Sequence, residues 1–241
     1  MSQAPLFFSF SLSIVLSFTA ADPVIAASAD GLYQRHCAEC HHAERLGGIG
    51  PALFPKNFKR LKKAAAVDVI KNGRVATQMP AFGQQLSDAQ IESLVEYVFT
   101  PLTKEPKWGA KEIAATQVVY KPESVKGDAT TANPVFDADP LNLFLVVESG
   151  DHHVTVLDGD KFEPIHRFPS RFALHGGPKY SSDGRFVYFT SRDGWISKFD
   201  MYKLEMVAEV RAGINTRNTA VSSDDRYLLV GNYLPNNLVL L

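Results

Sequence analysis

The sequence predicts a two-domain α + β protein, in which a small all-α domain precedes the first blades of a β-propeller. Its 241 residues are enough for two modest domains. In the first part, Ile91, Leu94, Val95 and Val98 follow an N-cap at Ser87 with helical spacing. In the later part, short alternating strands and tight turns recur at a fixed offset, which is typical of propeller blades.

The composition is that of an ordinary globular protein. Hydrophobic residues make up 45% of the chain and charged residues 21%, and the formal net charge is −1. This charge does not favour nucleic acid as a partner. Aromatic residues at 11% and the 14 prolines favour a part of the chain that is rich in strands and turns.

Residues 1–29 have the pattern of a cleaved export signal. The apolar, serine-rich run over 6–20 is too short to span a membrane comfortably, and Ala27-Ser28-Ala29 fits a cleavage site before Asp30. Residues 2–5 lack the Lys or Arg that usually begins such a signal, so an uncleaved anchor or a core helix stays an alternative. We expect an exported protein with no membrane span after cleavage.

The two cysteines of the chain form a C-x-x-C-H motif, Cys37-Ala-Glu-Cys40-His41. Two thiols on one turn reach the two vinyl groups of a porphyrin, and the next histidine lies under the iron. The alternative, a thioredoxin-like redox motif, needs a βαβ context that does not precede Cys37. The motif predicts one covalent haem c with His41 as iron ligand, whereas His36 and His42 lack the spacing to coordinate it.

A second iron ligand is expected further along, and Met79 followed by Pro80 is the candidate. A thioether favours ferrous iron, and the proline stiffens the loop that presents it. Met1 is the start, and Met201 and Met206 fall in the later region. The alternative interpretation of Met79 is a side chain that fills a gap in the core.

The order C-x-x-C-H, Gly50-Pro51, Met79-Pro80 and C-terminal helix resembles a class I cytochrome c domain over residues 30–102. Within it, residues 55–74 carry seven Lys or Arg against one Asp. Such a face attracts an acidic redox partner, although a charged run is more often merely solvated.

Residues 103–134 are rich in Pro, Lys and small polar residues, which predicts an interdomain linker that wraps rather than packs.

Residues 135–241 carry the repeat. Asp151 and Asp158 in one copy correspond to Asp193 and Asp200 in the next, with an offset of 42 residues, and 225–241 begins a third copy. Because a propeller ring typically has four to eight blades, the two and a half blades here are expected to be a truncated part of a longer reading frame.

An exported cytochrome c domain joined to a propeller resembles the cytochrome cd1 group over nearly all of residues 30–241. The resemblance implies an eight-bladed propeller that holds a second, non-covalent haem d1. Its most specific stretch is RFALHGGPKYSSDGRFVYFTSRDGWISKFDM, 171–201. It implies that His175 ligates the d1 iron and that Arg192 and Arg217 face the d1 carboxylates. The alternatives are a core histidine at 175 and a solvated arginine at 192; His152, His153 and His166 are ordinary turn and strand residues.

The group includes two activities, and the sequence favours one of them. The segments HGGPKYSSDGRF and RAGINTRNTAVSSDDRYLLVGNYLP resemble periplasmic dehydrogenases of haem d1 biosynthesis, which oxidise a propionate of dihydro-haem d1 to an acrylate and pass electrons to their own haem c. The other activity is reduction of nitrite to nitric oxide by cytochrome cd1 nitrite reductase. In that enzyme an arginine normally stands in the first-blade turn, where this chain has ESGD at 148–151.

The expected partners are dihydro-haem d1, other haem d1 biosynthesis proteins or a nitrite reductase that receives the product, and a periplasmic redox partner. The catalytic base is expected in further blades and is not assigned. A hypothesis from another class is an electron-carrier cytochrome whose propeller only docks to other proteins; it predicts no second haem and no substrate.

Overall fold

The computed structural model describes residues 28–125 and 133–241. Residues 1–27, which contain most of the predicted export signal, lie outside the described residues, as do residues 126–132 of the predicted linker. Across the two described ranges, no helix combines the length and the apolar character that a membrane crossing requires.

The first part of the chain is helical, as predicted. It contains α1 Ala29–His36, α2 Ala38–His41, a 3₁₀ turn at Pro55–Asn57, α3 Lys63–Asn72 and α4 Asp88–Phe99. Ser87 caps α4 by accepting a hydrogen bond from the Gln90 backbone N–H, and the Gln90 side chain accepts one from the Ser87 backbone N–H. The helix therefore begins where the sequence placed its N-cap.

The core of the helical domain forms where α1 packs on α4. The predicted stripe on α4 is buried against Leu32, the fully buried Tyr33 and Leu86. The buried Arg45 donates to the carbonyls of Tyr97 at 2.6 Å and Thr100 at 3.1 Å. A cation thus satisfies two carbonyls at the C-terminal end of α4 and ties the loop after α2 to that helix.

The remainder forms antiparallel sheets, which we call the first, second and third blades. The first blade is β2-β3-β4, the second β1-β8-β7-β6-β5, and the third β11-β10-β9. The strands are β1 Val118–Val119, β2 Leu143–Glu148, β3 His153–Asp158, β4 Pro164–Pro169, β5 Lys179–Tyr180, β6 Phe186–Thr190, β7 Trp195–Asp200, β8 Glu205–Arg211, β9 Asn215–Val221, β10 Leu228–Leu234 and β11 Asn237–Leu240.

The repeat seen in the sequence is also a repeat of hydrogen bonds. Asp158, at the end of β3, accepts from the backbone N–H groups of Asp160 and Lys161. Asp200, at the end of β7, accepts from those of Tyr202 and Lys203 in the same way. A carboxylate that satisfies the next turn explains why aspartate recurs at this position.

The blades stack face to face through apolar side chains. Val154, Val156 and Phe168 of the first blade meet Val187 and Phe199 of the second. The Phe168 and Phe199 rings are stacked with centroids 4.0 Å apart. A further cluster of apolar side chains joins the second and third blades. Each sheet therefore covers a face of its neighbour, as the blades of a propeller must.

The segment between the domains corrects one expectation, because its described part packs rather than wraps. It contains α5 Ala110–Ala115, β1 and α6 Pro122–Val125, and β1 pairs antiparallel with β8 as an added edge strand of the second blade. Each element has only two to six residues, which is too short to produce a readable apolar period.

The helical domain contacts the blades around Arg211, the last residue of β8. The Arg211 Nε donates to the Asp193 carbonyl at 2.7 Å, and its Nη2 donates to the Leu46 carbonyl at 2.6 Å. Its guanidinium lies 4.8 Å from the centre of the Trp108 ring. Next to it, an apolar cluster joins Ala52 and Phe54 of the helical domain to Ile214, the residue before β9. One buried arginine thus connects the two domains and the segment between them.

Candidate cofactor sites

The C-x-x-C-H motif occupies a single turn of helix. Cys37 is the N-cap of α2, and Cys40 and His41 lie in that helix. Both thiols are free and half-buried. Burial raises the pKa of Cys37 to about 11 and also raises the pKa of Cys40, so both thiols are protonated at neutral pH. Two S–H groups on one turn are the arrangement that thioether formation with two porphyrin vinyl groups requires.

His41 has the environment of a metal-ligating histidine. Its ring is buried, and Nδ1 lies 2.7 Å from the Pro51 carbonyl oxygen. Because the carbonyl accepts only, Nδ1 carries the proton and Nε2 keeps its lone pair. Burial lowers the pKa of His41, which also favours the neutral ring. Among the described residues Nε2 has no hydrogen-bond partner, so the site fits a haem iron.

Two neighbours hold this histidine in place. A Cβ at Gly50 would lie 2.6 Å from His41 Cε1, so the loop approaches the ring as only glycine permits. The Tyr33 hydroxyl donates to the carbonyl of His42 at 2.8 Å, which fixes the end of α2. His42 itself uses Nδ1 to accept from the Glu44 backbone, while His36 contacts the edge of the Phe82 ring.

Met79 lies in the loop between α3 and α4 and is half-buried. Its backbone N–H donates to the Thr77 hydroxyl at 3.2 Å, and its carbonyl accepts from the Arg74 backbone at 3.1 Å. Gly73 has φ +71°, and a Cβ there would lie 2.8 Å from the Met79 carbonyl oxygen. The loop is therefore fixed against the end of α3. Ligation of the iron by the Met79 sulfur stays a prediction.

His175 lies at the edge of a cavity between the first and second blades. The cavity has a volume of ≈ 330 Å³ and is lined by Val147 and Ser149 on one side and by Leu174, Phe189 and Thr190 on the other. The His175 backbone N–H donates to the Thr190 carbonyl at 2.7 Å. The bend after it uses two glycines with positive φ, Gly176 at 84° and Gly177 at 72°, conformations that other residues rarely adopt.

The structure brings two of the predicted haem d1 residues into contact. Arg217, on β9 of the third blade, donates from Nη1 to His175 Nε2 at 2.8 Å. His175 Nδ1 lies 3.2 Å from the Arg217 carbonyl oxygen. Arg192 occupies the neighbouring turn, where its backbone N–H donates to the Ala173 carbonyl. The Arg192 side chain is exposed and has no hydrogen-bond partner among the described residues.

The carboxyl group of Asp193, next to Arg192, is buried. Sequence reasoning did not consider the charge of this group. It accepts a hydrogen bond from Ser191, and burial raises its pKa to about 6. Arg211 and Trp108 were missed as well. Arg211 lies 165 residues from Leu46 and 103 residues from Trp108 in the sequence, so no local pattern marks these contacts.

Comparisons with known proteins support both domains. Residues 138–241 match the Cytochrome D1 heme domain model, and residues 25–98 match Cytochrome C oxidase, cbb3-type, subunit III. A dihydro-heme d1 dehydrogenase of Pseudomonas aeruginosa is 60% identical over 215 residues, which are 89% of this chain and 43% of that protein. A nitrite reductase of Stutzerimonas stutzeri is 24% identical over 222 residues, covering 85% of this chain and 39% of that protein.

A solved structure of a dihydro-heme d1 dehydrogenase, NirN, in complex with DHE superposes with a TM-score of 0.78 at 60% identity, covering 88% of this chain and 45% of that one. The chain therefore spans less than half the length of these relatives. The predicted resemblance to the cytochrome cd1 group is confirmed: the chain carries a cytochrome c domain followed by a D1 heme propeller-type domain.

Proposed function

We propose that this chain belongs to an enzyme of haem d1 biosynthesis, which dehydrogenates a propionate side chain of dihydro-haem d1 to an acrylate and passes the electrons to its own haem c. The observation that carries this proposal is the 60% identity to a dihydro-heme d1 dehydrogenase over 215 residues, a stretch too long to fall within one domain. Identity to a nitrite reductase over a similar length is 24%. Since the chain spans less than half of either relative, the activity belongs to the full-length protein.

The helical domain would hold the electron acceptor. Cys37 and Cys40 would form the thioethers of haem c, His41 would bind its iron through Nε2, and Met79 would supply a second iron ligand. The Pro51 carbonyl supports this role because it keeps His41 in the tautomer that leaves Nε2 free. When bound, haem c supplies a one-electron acceptor, and a thioether ligand raises its potential.

The blades would bind the substrate at the cavity beside His175. A neutral imidazole fixed by its backbone is a suitable ligand for the iron of dihydro-haem d1. Arg192 and Arg217 would hold the substrate carboxylates, for which a planar guanidinium provides paired donors. The apolar wall formed by Leu174 and Phe189 would cover part of the macrocycle.

The proposed reaction converts a CH₂–CH₂ side chain to CH=CH, so the substrate loses two protons and two electrons. Haem c would take the electrons one at a time, so it must be reoxidised before the second electron leaves, either by a periplasmic redox partner or by the oxidised haem c of a second protein molecule. A base must take up the protons from the substrate and pass them to solvent water, and we expect this base on blades beyond the ones described. The product would then pass to a nitrite reductase or to another haem d1 biosynthesis protein.

The test uses the full-length protein with oxidised haem c under anaerobic conditions. Addition of dihydro-haem d1 should give a product lighter by two hydrogens, identified by mass spectrometry. Tight binding without this product, together with nitric oxide formation from nitrite and a donor, would assign the protein as a nitrite reductase. No binding of the tetrapyrrole would leave a cytochrome with a docking propeller and would overturn the role of His175.

A further inference from the structure

A single arginine engages both ring nitrogens of His175. The Arg217 guanidinium donates to Nε2 at 2.8 Å, and the Arg217 carbonyl oxygen lies 3.2 Å from Nδ1. A guanidinium only donates hydrogen bonds, and a carbonyl only accepts them. Nε2 is therefore the acceptor, Nδ1 carries the proton, and His175 is neutral in this arrangement.

The lone pair on Nε2 cannot serve two partners at once. It is the electron pair that His175 would offer to the iron of a bound tetrapyrrole, and in this structure it is occupied by Arg217 Nη1. Iron ligation therefore requires that one of the two side chains moves.

The surroundings indicate that Arg217 is the side chain that moves. His175 is fixed through its backbone N–H to Thr190, and a Cβ at Gly176 would lie 2.5 Å from Asn218 Oδ1, so the bend is packed tightly on β9. The Arg217 side chain is exposed, and its described hydrogen bond is the one to His175. Its other contact is a distant cation–π contact with the Tyr233 ring, whose centre lies 5.8 Å from the guanidinium, and an exposed side chain gives up such a contact at little cost.

We infer that Arg217 is a latch for the iron ligand: it covers His175 Nε2 when no tetrapyrrole is bound and moves to a substrate carboxylate when iron takes its place. This inference rests on the proposed function and extends it to release. Loss of the carboxylate contact returns Arg217 to compete with the iron for Nε2. The same residue thus contributes to holding the substrate and to freeing the product.

The latch can be tested without any tetrapyrrole. Diethyl pyrocarbonate acylates neutral imidazole: the ring nitrogen bonds to the reagent's carbonyl carbon and displaces ethyl carbonate, which gives ethanol and carbon dioxide. The full-length protein loaded with haem c is treated with the reagent, and the modified fraction of His175 is followed by peptide mass spectrometry. His166, stacked on Phe168 in β4, is an internal reference for an intact fold.

In Arg217→Leu, the reagent should acylate His175 about tenfold faster than in the wild type, because loss of a charged hydrogen bond exposes the lone pair on Nε2. Arg217→Gln, which keeps a neutral donor, should give an intermediate rate. Arg192→Leu removes a neighbouring charge that does not contact His175, and it should leave the rate unchanged. The acylation rate of His166 should be equal in all four proteins. If His166 is acylated faster in Arg217→Leu, the fold of that variant is disturbed, and Arg217→Gln decides the test.

Equal His175 rates in the wild type and both Arg217 variants would overturn the latch. The proposed function is tested separately by adding dihydro-haem d1 to the wild type, which should protect His175 from acylation. A latch without such protection would support the inference about Arg217 and contradict the substrate. Protection of His175 by dihydro-haem d1, together with equal acylation rates in the wild type and the Arg217 variants, would support the substrate and overturn the latch.

Discussion

At the scale of single residues, the haem c ligand depends on one carbonyl and one missing side chain. The Pro51 carbonyl sets the His41 tautomer, and Gly50 lets the loop come close enough to do so. The two effects are coupled because the residues are adjacent in sequence. A change at Gly50 should therefore affect the iron ligand without altering the C-x-x-C-H motif itself.

Gly50→Ala should lower the fraction of protein with His41-ligated haem c several-fold, since the new Cβ would lie 2.6 Å from the ring, and backbone or ring must shift. The visible spectrum of purified protein, which distinguishes ligated from unligated haem, is the measurement. Gly109→Ala, outside this loop, is the control, because its Cβ would lie 3.6 Å from Glu112 Oε2, an ordinary contact distance. Equal spectra for the two variants would contradict the role given to Gly50.

Asp193 gives a prediction about pH. Its pKa is raised from 3.8 to about 6, with burial as the largest cause, so the folded state holds its proton more tightly than the unfolded state. The contribution to stability is complete below the unfolded pKa and is lost as pH rises towards 6. Asp193→Asn should therefore raise the free energy of unfolding at pH 8 by about 1 to 3 kcal/mol relative to wild type, and this gain should vanish near pH 4.

Denaturant unfolding of wild type and Asp193→Asn at pH 4, 6 and 8 provides the measurement. A gain that is equal at all three pH values would show that the carboxyl is not the titrating group. A loss at pH 8 would show instead that attraction to Arg211 and Arg171 outweighs burial.

At the scale of elements, the repeated turn aspartates differ in what else they bind. Asp158 and Asp200 make the same two backbone contacts, but Asp200 also accepts from the Arg185 Nε at 3.1 Å and Nη2 at 2.8 Å. The side chains of this ion pair are 4% and 0% exposed. Asp158 pairs instead with the exposed Lys161.

Asp200→Ala should therefore lower the free energy of unfolding by about 3 to 5 kcal/mol, because it leaves the Arg185 charge buried without a partner. Asp158→Ala, the matched control from the repeat, should cost clearly less, since the cation that it leaves without a partner, Lys161, is exposed to water. Denaturant unfolding of both variants is the measurement. Equal losses would mean that the turn, and not the buried ion pair, sets the stability of this element.

At the scale of the whole molecule, Arg211 is expected to hold the helical domain on the blades. It contacts the Leu46 carbonyl, whose position is 165 residues earlier in the sequence, and the Asp193 carbonyl in the turn that carries Arg192. The loop that presents Pro51 to His41 and the turn beside the His175 cavity therefore share one side chain. Relative movement of the two sites is limited by this contact.

Arg211→Lys should loosen this contact, because a lysine ammonium group lacks the planar guanidinium that donates to the Leu46 and Asp193 carbonyls at once. Amides of residues 46–54 and 108–116 should exchange hydrogen for deuterium about tenfold faster, while the first blade should be unchanged. Hydrogen exchange with mass spectrometry measures this. Arg226→Lys, on an exposed turn, is the control, and an equal pattern in both variants would contradict a clamp at Arg211.

Sequence reasoning reached the local features and the repeats. The N-cap at Ser87 and the stripe on α4 follow from spacing within a few residues, and the turn aspartates follow from a period of 42. It failed between residues 103 and 125, where α5 and β1 are too short to give a period and are stabilised by β8. It placed His175 and Arg217 in one site by resemblance, but their hydrogen bond depends on two blades meeting in space.

The most direct test of the account counts electrons. The full-length protein with oxidised haem c is mixed anaerobically with a limiting amount of dihydro-haem d1, without an external acceptor, and reduced haem c and product are measured in the same sample. The account predicts two reduced haem c groups for each product molecule, because removal of two hydrogens releases two electrons and the oxidised haem c of a second protein molecule, present in excess, takes the second one. Product without haem c reduction, or haem c reduction without product, would contradict a dehydrogenase that uses its own haem as the acceptor.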